Sequence, residues 1–217
     1  MTALDEPKRG CVLCPRLALY RDENRAREPD WHNAPVPSFG SLDARLLVVG
    51  LAPGRMGANR TGRPFTGDYA GKLLYGTLVR LGLAKGAYGE RPDDGLQLVD
   101  CRITNAVRCA PPANRPLPAE IKTCGRYLSA ELAAMPRLAG LLALGQIAHN
   151  AVLAAYGLTR SRHPFAHGAM HDLGQGRVLA DSYHCSRLNT NTGRLTEAMF
   201  ADVVGKLKKQ LEASSKG

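Results

Sequence analysis

Residues 46–68 read LLVVGLAPGRMGANRTGRPFTGD. The first five, Leu46 to Gly50, are apolar without alternation, the pattern of a parallel strand covered on both faces. A loop crowded with glycine and arginine follows, and the only carboxylate of the stretch, Asp68, stands at its end. Beyond it, in DYAGKLLYGTLVRLGL, Leu74, Leu78 and Leu81 recur at helical spacing. The loop does not end in the Gly-Lys-Ser/Thr of a Walker A motif and contains no Gly-x-Gly-x-x-Gly, so neither nucleotide-cofactor fingerprint is present.

Working outward, the same strand-then-helix order repeats. LVDCRITNAV (98–107) reads as a second strand, followed by a helix near 118–133 with Pro118 in its first turn. LAGLLAL (138–144) reads as a third strand, with a helix from about Gln146 to Tyr156, and RVLADS (177–182) as a fourth. Thr196 is placed to cap a last amphipathic helix. Strands alternating with helices predict an α/β layered domain around a parallel sheet. Ligands of such sheets bind at the carboxyl ends of the strands. Three unusual loops, 51–68, 108–116 and 182–195, leave three of the strands at that end. One domain is expected over 1–217, with the cysteine-bearing segment 1–40 packed on it and 208–217 forming a flexible tail.

The 217 residues carry 29 Lys+Arg against 19 Asp+Glu, a net charge of +10. A surface this basic attracts polyanions, nucleic acid first and anionic membrane second. No apolar run is long enough to cross a bilayer, and the charged first 30 residues contain no secretory signal. The expected compartment is therefore the cytoplasm, where disulfides are rare. Cys11 and Cys14 form a Cys-x-x-Cys pair followed by a helix, and Cys109 and Cys124 lie farther on. Four such thiols suit zinc or an iron–sulfur cluster, and spacing does not separate the two. Cys101, inside a strand, reads as a small buried hydrophobe.

Taken together, GLAPGRMGANRTGRPFTGD, ITNAVRCAPPANRPLP and YHCSRLNTNTGRLT resemble the iron–sulfur-containing uracil-DNA glycosylases of bacteria and archaea, in the type-B branch also called family 5. The resemblance runs from CVLCPRL to the final helix. It implies a three-layer α/β/α sandwich with a central four-stranded parallel sheet, and a 4Fe–4S cluster on Cys11, Cys14, Cys109 and Cys124. It also implies a base pocket in which Ala52, Gly54, Phe65 and Asn105 bind the flipped base, Phe65 by stacking and Asn105 by reading the pyrimidine edge. His184 would donate to a uracil oxygen as charge builds. Many members of the superfamily have Asp or Asn after the first strand's Gly-x motif; Ala52 stands there in this chain. The resemblance transfers the water chemistry to Asp68, with Asn114 helping to bind the base or align water. Leu188 would fill the gap left by the flipped base. Cys185 and Arg187 replace two prolines of the superfamily pattern in that loop, which is expected to be less rigid, with Arg187 sharing the wedge. Arg55, Arg60, Arg63, Arg108, Arg115 and Arg194 lie in or beside the loops and are candidates for phosphate contacts.

Each assignment has a plainer counterpart: a helix N-cap for Asp68, core packing for Phe65, a hydrogen-bonded structural imidazole for His184, a turn residue for Asn114, solvated charge for the arginines. The resemblance implies a monofunctional glycosylase acting on uracil, and on other deaminated bases such as hypoxanthine, in DNA. It would work as a monomer beside the chromosome of a prokaryotic cell. The competing reading is an iron–sulfur protein that binds damaged or abasic DNA without turnover.

Overall fold

The computed structural model describes residues 4–213. In chain order its elements are α1 (Pro15–Arg27), β1 (Leu46–Gly50), α2 (Ala58–Thr61), α3 (Tyr69–Arg80), β2 (Ala84–Lys85), β3 (Gln97–Leu98), β4 (Cys101–Asn105), α4 (Pro118–Ala134), β5 (Gly140–Leu144), α5 (Gln146–Ala155), β6 (Met170–Gly174), β7 (Arg177–Ser182), α6 (Arg187–Asn191) and α7 (Glu197–Ala213).

The main sheet has the order β4-β1-β5-β7-β6, and β1 pairs in parallel with both β4 and β5, as β5 does with β7. Every residue of β1, β4 and β5 is buried, as unalternating apolar strands require. Alternate residues feed two cores. Leu46 and Val48 pack with α3 and α7 through Leu74, Leu78, Phe200 and Val204. Leu47 and Val49 pack on the other face with α4 and α5 through Leu128, Leu132, Val152 and Leu153. Helices thus cover both faces, giving three layers.

One expectation is extended and one corrected. The four expected parallel strands are present as β4, β1, β5 and β7, and a fifth, β6, pairs antiparallel with β7 at one edge. Gln175 and Gly176 link them with φ of 55° and 71°, the backbone that a two-residue hairpin turn demands; the strand itself, MHDLG, is too polar to announce itself. The stretch from 208 is not a tail up to Ala213. α7 continues through it, burying Leu211 and holding the Lys208 ammonium 2.9 Å from the Leu81 carbonyl. The remainder of the expected tail, 214–217, lies outside the described residues. Among the described residues no helix is long and apolar enough to cross a membrane.

The N-terminal segment braces the site from outside. Leu17 of α1 packs on Val107, Cys124 and Tyr127. Farther along, the Asn33 and Asn59 side chains meet at 2.9 Å, and the His32 and Asn33 amides donate to the Arg60 and Asn59 carbonyls.

Candidate active site

A cavity of about 450 Å³ opens at the carboxyl ends of β1 and β4. Its lining includes Ala52, Gly54, Phe65, Asp68, Asn105, Asn114, His184 and Arg187, together with Tyr69 and Ser186. Three loops distant in sequence are thereby joined in one pocket.

Glycine shapes the first wall. A Cβ on Gly50 would lie 2.5 Å from the Phe65 ring and 2.3 Å from Asn105 Oδ1, so the bare end of β1 lets these two side chains meet. A Cβ on Gly54 would lie 2.4 Å from Asp68 Oδ1, and one on Gly57 1.9 Å from Asp68 Cγ. These glycines vacate the volume that the carboxylate occupies. Phe65 is buried, holds φ of 56°, and faces the His184 ring at a centroid distance of 6.2 Å.

Asp68 occupies the N-cap position of α3, yet its side chain makes no cap hydrogen bond. It turns back into the first loop, where the Ala58 amide donates to Oδ2 at 3.2 Å. Burial raises its pKa above the ordinary carboxylate range, only partly offset by the Ala58 and Gly54 amides and the Arg60 charge. A desolvated carboxylate of this kind suits aligning water and accepting a proton. Burial lowers the pKa of His184, so its imidazole is neutral at neutral pH and can donate without carrying charge. Asn105 is buried, and its Oδ1 has no hydrogen-bond partner. A buried acceptor left unpaired costs about 1–3 kcal/mol, and a ligand N–H at that point would recover it. Asn114 stands exposed at the pocket rim, following Ala113, with both in left-handed backbone.

The second wall is held by buried polar contacts. Asp181, at the end of β7, has its two carboxylate oxygens 2.7 Å from His149 Nδ1 and 2.9 Å from His171 Nε2. His149 Nε2 in turn lies 2.9 Å from the His163 carbonyl. Cys185 is wholly buried in the core, and the Ser186 hydroxyl caps α6 by accepting from the Asn189 amide. The loop lacking prolines is therefore anchored at two consecutive residues, contrary to the expected looseness. From it Leu188 projects with 72% of its surface exposed. The Arg187 guanidinium lies 5.1 Å from the Tyr69 ring, across the pocket from its own loop.

The arginines divide. Arg60, Arg187 and Arg194 are exposed, with Arg194 4.5 Å over the Tyr183 ring; Arg115 is exposed as well. Arg55 donates to Asn24 Oδ1 at 2.7 Å and lies 5.0 Å from the Trp31 ring, facing the N-terminal segment. Arg63 does not reach the surface. It is 5% exposed and forms a two-pronged pair with Asp94, both contacts at 2.7 Å, while Nε donates to Thr66. Arg108 is likewise buried, bonded to the Val36 carbonyl, Ser38, Thr104 and Glu131. Both were expected to face phosphates; both are internal struts instead. Tyr69, Ser186 and Gly50 escaped the sequence reading, and only Gly50 left a signal there, as a glycine ending an apolar strand.

Cys11, Cys14, Cys109 and Cys124 converge on a second cavity with Leu17, Val107 and Tyr127. None of the four is in a disulfide. Burial, assisted by the neighbouring sulfurs, pushes Cys109 up to about 12 and Cys124 up to about 11, and raises Cys14 as well. Four thiolates gathered around one cavity are stable together only around a cationic group. The Arg108 amide, 3.3 Å from Cys124 Sγ, and the Arg21 guanidinium, 4.0 Å from Cys109 Sγ, are donors suited to ligating sulfur. The donor set fits a tetrathiolate centre. Cys101 and Cys185 lie apart from it in the core.

The family model of the uracil DNA glycosylase superfamily matches residues 37–208. The type-5 uracil-DNA glycosylase of Thermus thermophilus is 49% identical over 92% of this chain and 93% of its own length. That of Pyrobaculum aerophilum is 44% identical over 90% of the chain and 86% of its own length, and that of Mycobacterium tuberculosis 43% over 92% and 77%.

Proposed function

Because the chain belongs to the uracil-DNA glycosylase superfamily, with type-5 relatives along almost its whole length, we propose that it hydrolyses the N-glycosidic bond of uracil in DNA and leaves an abasic site. The observation that carries this reading is the unpaired, buried Asn105 Oδ1 in a pocket shared with Phe65, Asp68 and His184. A pyrimidine ring N–H supplies the missing donor.

The base must leave the stack to reach these groups. Phe65 stacks on the flipped ring, Ala52 and Gly54 let the backbone approach it, and Leu188 fills the vacated step. As the N1–C1′ bond breaks, the electron pair moves to the base, and neutral His184 donates to the oxygen where negative charge collects. Asp68 faces the cationic sugar and orients a water molecule. That water adds to C1′, and its proton passes to the carboxylate. Asn114, at the rim, assists in holding base or water. Arg60, Arg187 and Arg194 serve the phosphates, with Arg55 at the margin.

Cys11, Cys14, Cys109 and Cys124 hold a 4Fe–4S cluster, which ties the N-terminal segment to the loop after β4 and has no part in bond cleavage. The protein acts as a monomer on chromosomal DNA in the cytoplasm. A pocket of about 450 Å³ with alanine at position 52 also accommodates a bicyclic deaminated base such as hypoxanthine.

The direct test incubates the protein with a uracil-containing oligonucleotide and cleaves abasic sites with alkali. Asp68→Asn and His184→Ala should each lower turnover roughly 10²–10³-fold while DNA affinity stays close to wild type. DNA binding without strand cleavage, in the wild type as in the variants, would favour a damage-recognition protein instead. Stoichiometric iron and sulfide in the purified protein, lost in Cys124→Ser, checks the cluster; zinc in their place would overturn it.

A further inference from the structure

Phe65 has a left-handed backbone that non-glycine residues rarely adopt, and three residues later Asp68, at the N-cap of α3, makes no side-chain cap bond. Something outside the pocket must hold this segment. The Tyr88 hydroxyl, on the loop between β2 and β3, donates to the Phe65 carbonyl at 3.0 Å and accepts from the Gly67 amide at 3.3 Å. One oxygen thus grips the chain on either side of Thr66. Supporting bonds converge on the same turn: the Tyr75 hydroxyl donates to the Pro64 carbonyl at 2.6 Å, and Arg63 holds Thr66 from its pair with Asp94. Asp94 also accepts from the Gly89 amide at 2.9 Å, which fixes the loop carrying Tyr88. On the side of α3, Gly71 leaves room for the contact: a Cβ there would lie 1.9 Å from the Phe65 carbonyl and 2.3 Å from the Tyr88 hydroxyl. Tyr88 does not line the base pocket.

We infer that Tyr88 is a positioning residue for base excision, fixing the Phe65 ring and the Asp68 carboxylate through the backbone between them. This rests on the glycosylase reading above. Removing the hydroxyl breaks both bonds at once, and the ring contact with Tyr75, at 4.7 Å, keeps the phenyl group in place. The segment then has freedom to relax toward ordinary backbone, and the Asp68 side chain toward a cap hydrogen bond on α3.

Tyr88→Phe should lower kcat on uracil-containing DNA about tenfold with KM changed less than twofold. In a Phe65→Ala background the same substitution should lower kcat clearly less than it does in the wild type, because one of the two groups it positions is gone and only its hold on Asp68 remains. Hydrogen exchange should quicken at the Gly67 amide in Tyr88→Phe while the amides of β1 and β4 keep their protection. Unchanged kcat, an equal effect in both backgrounds, or a matching rise in KM would each overturn the inference. Wild-type protein inactive on uracil-containing DNA would overturn the glycosylase reading instead, and the exchange experiment would still decide whether Tyr88 holds the segment.

Discussion

The two walls of the base pocket are built on opposite principles. The wall from Gly50 to Asp68 is shaped by missing atoms: Gly50, Gly54 and Gly57 leave the space that Phe65, Asn105 and Asp68 fill. The wall from Asp181 to Leu195 is shaped by polar atoms that are present and buried, the Asp181 carboxylate between His149 and His171 above all. One wall is sensitive to a methyl group added, the other to a polar group removed. Catalytic geometry resides mainly in the first, and stability of the scaffold behind His184 in the second.

The largest expected effect breaks the second wall. Asp181→Ala leaves the buried His149 and the partly buried His171 without their acceptor, a loss of about 1–3 kcal/mol for each unsatisfied donor. For a chain of this size that lowers Tm by roughly 10 °C, measurable by thermal unfolding. Turnover per folded molecule should fall much less.

Gly57→Ala should invert that pattern. The new Cβ would sit 1.9 Å from Asp68 Cγ and must expel the carboxylate from its place. We expect kcat to drop about 100-fold, or about 2.7 kcal/mol of barrier, with DNA affinity retained. A variant with wild-type kcat would show that the position of Asp68 does not matter.

This contrast also explains what the sequence disclosed. The strand order of alternating β and α segments was legible because burial on both faces erases alternation, and the glycine loop was legible as a loop. Which atom each glycine makes room for was not, since Gly57 and Asp68 meet through folding. The partnership of His149, His171 and Asp181 was hidden for the same reason: the contacts span 32 and 10 residues. Edge strand β6 was missed because its residues are polar and mostly solvent-facing. Arginine misled most. Arg60 and Arg63 lie three apart in sequence, yet Asp94, supplied by a distant loop, draws Arg63 inside.

Acidity sharpens the comparison from the side of charge. Burial raises the Asp68 pKa and lowers that of His184, so Asp68 takes up its proton at a higher pH than an ordinary carboxylate and His184 at a lower pH than an ordinary imidazole. Activity should decline about tenfold per pH unit as Asp68 is protonated, along an acid limb lying above the ordinary carboxylate range. The linked stability runs the other way. With a folded pKa raised above the unfolded value, the contribution of Asp68 is fully present below the unfolded value and is lost as pH rises through the folded one. Asp68→Asn should therefore raise Tm at neutral pH while abolishing the acid limb. A lower Tm would mean that the ionised carboxylate supports the fold.

The smallest effect asks whether both walls grip one DNA strand. Arg60 stands on the first wall and Arg194 on the second, both exposed and without an acidic partner at salt-bridge distance among the described residues. Each phosphate contact contributes about 0.9 to the slope of log affinity against log salt concentration on duplex DNA. Arg60→Ala and Arg194→Ala should each reduce that slope by about 0.9, and the double variant by about 1.8, because the two charges release separate counterions. The measurement is equilibrium binding to abasic-site DNA across a salt series. A slope unchanged by Arg194→Ala would leave phosphate contact to the glycine-built wall, with Arg194 serving only to stack on Tyr183.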